Sequence, residues 1–66
     1  MKIKSVSMKQ DSTGRRYAWP ANYFDFPDLA AAVACLRRVG FFVVRIQGQR
    51  AILKKYTGEI RYIYAF

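Results

Sequence analysis

The chain has 66 residues, and its 12 lysines and arginines against four carboxylates give a formal charge of +8 and a pI near 10.2. Hydrophobic residues make up 53% and aromatics 17%, well above a disordered composition, yet a chain this short buries only about 60% of what its unfolded form exposes. It reads as a single small domain over residues 1–66 with little material for a deep catalytic cleft. Histidine is absent and Cys35 is the one cysteine. These counts remove histidine acid/base chemistry, Cys–His nucleophiles, internal disulfides and Cys/His zinc sites.

Residues 2–9 alternate loosely and suit a first strand. Gln10-Asp11-Ser12-Thr13-Gly14 is turn material, and Arg15–Trp19 returns as a second strand. Pro20 forbids continuation as a central strand, so Pro20–Phe24 is expected as an ordered loop or an edge. Asp25-Phe26-Pro27-Asp28 then supplies a capping carboxylate, a first-turn proline and a second carboxylate for the start of a helix. The helix runs over Leu29–Val39, with Arg37 and Arg38 in its last turn and Gly40 as its stop. At 100° per residue, Phe26, Leu29, Ala32, Val33, Leu36 and Val39 share one face, so the helix packs on one side only.

After Gly40 the hydrophobic period becomes two. Phe41–Gln47, Arg50–Tyr56 and Glu59–Phe66 read as three strands, joined by short turns at Gly48-Gln49 and Thr57-Gly58. The order β-β-α-β-β-β predicts an α+β protein, an antiparallel sheet with one helix packed on one face. Its expected core is Leu29, Val33, Leu36, Phe42, Val44, Ile46, Ile52 and one face of the last strand. An exposed edge strand would leave room for a homodimer.

Residues 36–58 carry Gly40-Phe41, Val43-Val44-Arg45 and Gly48. This stretch resembles part of the HicA-like mRNA interferase toxins, whose helix leads into a "GF-x-V-V-R" strand and a "G-S-H" turn. The resemblance implies a small double-stranded-RNA-binding-like shape and RNA binding. The place of the family's catalytic histidine is taken by Arg50, the N-terminal hairpin is extra and the family's closing helix is missing, so RNase activity is not implied.

Charge points to the partner. Residues 1–24 carry a net +4, residues 25–34 a net −2 and residues 35–66 a net +6, an excess that bears on binding to polyanions. If the last three strands pair in order, Arg45, Arg50 and Arg61 converge on the helix-free side, joined by one of Lys54 and Lys55, which alternation sends to opposite faces. These residues form the expected binding surface; the plainer reading is that each cation stays solvated alone. Strand aromatics such as Tyr62 and Tyr64 are expected in the core rather than as a platform for stacking bases. Tyr17, Trp19, Tyr23 and Phe24 crowd one segment, where Trp19 and Tyr23 serve either as partner contacts or as a lid over the core. Cys35, on the flank of the helix, is expected to be a small buried or half-buried residue rather than a nucleophile. Asp25 and Asp28, with only Asp11 and Glu59 besides, are too few for a metal site. No nucleotide-binding glycine motif occurs, and no cofactor is expected.

No uncharged stretch exceeds eight residues, Leu29–Leu36 being one, against about 20 for a membrane span, and no apolar run follows the basic start. The expectation is a cytoplasmic, non-enzymatic binding protein without membrane partners. It would act by occupying a surface on a protein, a ribonucleoprotein complex or nucleic acid directly. In composition it is similar to phage and mobile-element inhibitors of host defence, including anti-CRISPR proteins. The alternative is a degenerate HicA-like toxin that binds or cleaves mRNA.

Overall fold

A computed structural model describes all of residues 1–66. It contains strands β1 (Lys2–Gln10), β2 (Arg16–Ala18) and β3 (Asn22–Asp25), helix α1 (Leu29–Arg38), and strands β4 (Phe42–Gln47), β5 (Arg50–Lys54) and β6 (Ile60–Ala65). All pairings are antiparallel, in the order β2-β1-β6-β5-β4, with β3 also on β1. The α+β architecture is the one read from the sequence, with one strand more. No helix is long and apolar enough to cross a membrane.

The additional strand lies where a loop or edge was expected. β2 pairs with Met8–Gln10 and β3 with Lys2–Ser5, so both lie along the same side of β1. The Trp19 amide still donates to the Ser7 carbonyl at 2.9 Å. Pro20, having no N–H, interrupts the ladder at an outer edge, where its absence of a donor is tolerated. The preceding turn is organised by Asp11, whose Oδ1 accepts from the Thr13 hydroxyl at 2.6 Å and from the Thr13 and Arg15 amides at 2.9 Å each. These bonds, the Thr13 hydroxyl foremost, hold the Asp11 carboxyl below its ordinary range.

The helix starts at Leu29 as expected, but its cap is Asp28 rather than Asp25. Asp25 ends β3; Asp28, with extended backbone, is the N-cap and accepts from the Ala31 amide at 2.8 Å. Pro27 therefore precedes the cap rather than opening the first turn. At the other end Phe41 N–H donates to Leu36 C=O at 3.1 Å and Gly40 N–H to Arg37 C=O at 3.2 Å. With Gly40 at φ 101°, this is a Schellman motif, and only glycine adopts that backbone without strain.

That motif sends Phe41, not Phe42, under the helix. The buried core consists of Ile3, Leu29, Ala32, Val33, Phe41, Ala51, Leu53, Ile63 and Ala65, with Phe26 and Leu36 packed against it. Leu29, Val33 and Leu36 are as expected, but Phe42, Val44 and Ile46 are exposed and Ile52 is only half-buried. Phe42 is turned outward by the phase set at Gly40, and a β-bulge then shifts the rest of β4. Val43 pairs with Leu53 and Arg45 with Ile52, leaving Val44 as the extra residue. The bulge puts Arg45 and Gln47 on the helix-free face with Phe42, whereas unbroken alternation would separate Phe42 from Arg45. Cys35 is exposed rather than buried, because the helix stripe centres on Leu29, Ala32 and Val33 and leaves position 35 beside it.

Candidate functional site

Strand register assigns each side chain of the sheet to one of two faces. The helix side holds Ile3 and Ser5 of β1, Leu53 of β5 and Arg61 and Ile63 of β6, continuous with the core. The opposite side has no covering layer. In its middle are Val6 and Met8 of β1, Ile60, Tyr62 and Tyr64 of β6, and Ile52 of β5, all half-buried. An uncovered antiparallel sheet face is ordinarily polar, whereas this one has those six apolar or aromatic residues at its centre, beside Lys2, Lys4, Arg50 and Lys54 of the same inner strands.

Cations surround that strip. Lys4 stands opposite Tyr64 on one side and Arg50 opposite it on the other, so one row across the sheet reads Tyr23, Lys4, Tyr64, Arg50, Gln47. The next row reads Val6, Tyr62, Ile52, Arg45, and the next Ala18, Met8, Ile60, Lys54, Phe42. Lys2 and Arg16 extend the same face at its two ends, and Asp25, opposite Lys2, is the only carboxylate on it. Tyr62 and Tyr64 form a ridge between two shallow depressions. One, of about 190 Å³, is lined by Arg45, Gln47, Arg50 and Ile52; the other, of about 450 Å³, by Lys4, Val6 and Met8. More rings stand along the margin. Tyr23 and Phe66 meet edge to face with centroids 6.3 Å apart, and Phe42 lies 5.3 Å from Tyr56.

The residues singled out from the sequence divide between the two faces. Arg45, Arg50, Lys54 and Tyr23 are on the helix-free side. Lys55 and Arg61 are not. Arg61 occupies the helix side, its guanidinium 5.0 Å from the Phe41 ring, 2.8 Å from Glu59 Oε2 and 3.4 Å from Ser5 Oγ. The Lys55 ammonium lies 4.8 Å from the same ring. Trp19 also belongs to the helix side, under the Lys9 ammonium at 4.5 Å, so Trp19 and Tyr23 do not share a surface. The binding surface expected around Arg45, Arg50 and Arg61 therefore loses Arg61, because residue 61 is out of phase with Tyr62 and Tyr64 on the same strand.

Arg61–Glu59 is the molecule's single ion pair. Burial pushes the Glu59 carboxyl up, but the hydrogen bond from Arg61 and the charges of Arg61, Lys9 and Lys55 outweigh it and hold the group below its ordinary value. The cations of the helix-free face have no carboxylate within ion-pair distance. Lys4 and Arg16 were not among the expected surface groups, and Tyr62 and Tyr64, expected in the core, stand instead on the uncovered face because Ile63 is the side of β6 that is buried. The alternation of Lys2, Lys4, Val6 and Met8 on β1 was the available signal for the first strand's contribution. No group of three or more carboxylates or cysteines is placed to hold a metal ion.

Compared with protein-family models, with curated proteins and with solved structures, the chain matches none. The likeness to the HicA-like toxins therefore rests on residues 36–58 alone.

Proposed function

We propose that the protein is a non-enzymatic binding module that covers nucleic acid with the helix-free face of its sheet. The observation that carries this reading is the uncovered apolar and aromatic strip flanked by Lys4, Arg45, Arg50 and Lys54, none of them ion-paired. An apolar patch left open on a small protein marks an interaction site. Cations spread along its margins, with one carboxylate among them, favour an extended polyanion over a neutral or cationic ligand.

The side-chain inventory supports binding over chemistry. Asp28 is engaged as a helix cap, Asp11 as a turn cap and Glu59 with Arg61, so three of the four carboxylates already have structural partners. Arg50, at the place of the toxin family's histidine, is a permanent cation and serves as a phosphate ligand rather than a proton carrier. Acting by occupancy, the protein would compete with any machine that uses the same strand.

The test is a titration of labelled RNA and DNA, in single-stranded and duplex form, at several salt concentrations in metal-free buffer. Binding should weaken steeply with salt, because each phosphate contact releases a counterion, and the nucleic acid should be recovered intact. Arg45→Glu with Arg50→Glu should abolish binding while thermal stability is retained, and Arg61→Gln should leave binding in place. Normal binding by the double variant, or no binding by the wild type, would overturn the proposal.

A further inference from the structure

We infer that the nucleic acid is a single strand laid along β6, with unstacked bases resting on Tyr62 and Tyr64. The inference rests on the nucleic-acid reading above and goes beyond it by choosing among nucleic acids.

Shape makes the first distinction. Direct reading of a duplex requires an element that enters a groove, such as a helix or a two-stranded ribbon. Here α1 is on the other side of the sheet, packed on the core through Leu29, Ala32 and Val33. What the face offers is the middle of a sheet, with rings and aliphatic side chains at its centre. A duplex presents sugars and phosphates to such a surface and keeps its base faces stacked inside. Aromatic residues in the centre of the patch would then meet the most hydrated part of the ligand. A single strand reverses this, because its bases can leave the stack and lie on rings.

Spacing makes the second. Tyr62 and Tyr64 are two residues apart on one strand, an advance of about 6.6–6.8 Å. That is close to twice the 3.4 Å rise per nucleotide of a stacked strand, so neighbouring rings accept neighbouring bases only once these have been drawn apart. Phe66, 66% exposed and in phase with the tyrosines, continues the series beyond the end of β6. The cations lie to the sides of this line. Lys4 is one strand away from Tyr64, Arg50 one strand away on the other side, and Arg45 two strands from Tyr62. Strands lie about 4.8 Å apart, which puts these charges where a backbone flanking stacked bases carries its phosphates. The site so described takes about three nucleotides and reads no base edge, so preference should follow stacking strength rather than sequence.

Fluorescence anisotropy with labelled 12-nucleotide single strands and a blunt 12-base-pair duplex tests this on the intact protein. The single strand should bind at least about tenfold more tightly than the duplex. Tyr62→Leu and Tyr64→Leu remove the ring but keep much of the volume, and each should weaken single-strand binding by about tenfold while leaving the salt dependence unchanged. Tyr62→Phe and Tyr64→Phe should bind like the wild type, since the ring face and not the hydroxyl is used. Circular dichroism and thermal melts establish that each variant is folded, and the phenylalanine variants test stacking independently of the leucine ones. Equal or tighter duplex binding, or leucine variants that bind normally, would refute the single-strand inference while leaving the phosphate-binding face intact. Failure of every nucleic acid to bind would instead remove the functional reading itself, with an acidic protein partner as the replacement.

Discussion

Phe41 and Phe42 are adjacent, chemically identical and on opposite sides of the sheet, and replacing each by alanine tests the architecture on which the functional reading depends. Phe41 is 4% exposed, and Phe42 is 39% exposed beside the Tyr56 ring. Truncating a fully buried phenylalanine removes its transfer free energy and leaves a cavity, for a cost of about 3–5 kcal/mol. A chain of this length has a total stability of about 3–10 kcal/mol, so Phe41→Ala should remove between about a third and all of it. Phe42→Ala loses part of the same transfer energy but opens no enclosed cavity, because water already reaches the site, and about 1 kcal/mol is expected. Urea titration followed by circular dichroism measures both. If Phe42→Ala is the more destabilising of the two, β4 faces the other way. Arg45 would then change sides, and the basic face would not exist as described.

Three further outcomes follow from local structure. Asp28→Ala should cost about 0.5–2 kcal/mol through loss of the helix cap, and Asp25→Ala no more than about 0.5 kcal/mol; equal losses in thermal or urea unfolding would contradict the cap assignment. The Glu59 carboxyl is held below its ordinary value near 4.5, so the unfolded chain takes up its proton first as pH falls. The stability this group supplies is full above about that pH and is lost as pH drops through the lower folded value. The stability difference between wild type and Glu59→Gln should therefore shrink between pH 5 and pH 3, and a difference constant over that range would refute the Arg61–Glu59 pairing. Cys35 is exposed and should react with a thiol reagent in the native protein about as fast as in urea; strong protection would show that position 35 is covered.

The parts of the fold governed by local rules were legible in the sequence. Helix α1 was found from its alanine-rich stripe and from Gly40, and the last three strands from their period of two. What the sequence concealed was phase. Phe41-Phe42-Val43-Val44 offers apolar residues in both registers, so alternation alone cannot choose between them. The Schellman motif chooses, because its hydrophobic contact joins the residue after Gly40 to the helix's last turn. Phe41 is that residue. The bulge at Val44 then moves Arg45 to Phe42's side, a shift that no pattern in four consecutive apolar residues displays. On β6, alternation was legible but did not say which face is buried, so the tyrosine face was expected in the core where Ile63 in fact lies. Arg61 shares its face with Ile63 rather than with Tyr62, and once Ile63 is placed in the core, Arg61 is committed to the helix side.

The contrast between Arg61 and Arg45 shows why net charge alone does not locate the proposed binding face. On the helix side, cations are absorbed into the structure. Arg61 bonds to Glu59 and lies with Lys55 against the Phe41 ring, and Lys9 covers Trp19. Interactions of this kind use the alkyl stems and charged heads of long side chains to close a core too small to close itself. On the helix-free side, Lys4, Arg45, Arg50 and Lys54 flank tyrosine and aliphatic surface that no layer covers. If these residues served only solubility, the centre of the face would be polar, as one-sided antiparallel sheets usually are. In the function proposed here, an apolar centre with a charged margin leaves its rings available to a ligand of opposite charge. Replacing Val6, Ile52 and Ile60 by threonine should cost about 1 kcal/mol of stability per site, read in urea unfolding. It should leave nucleic-acid affinity weakened but still salt-dependent, because stacking and apolar contact are reduced while every phosphate ligand remains.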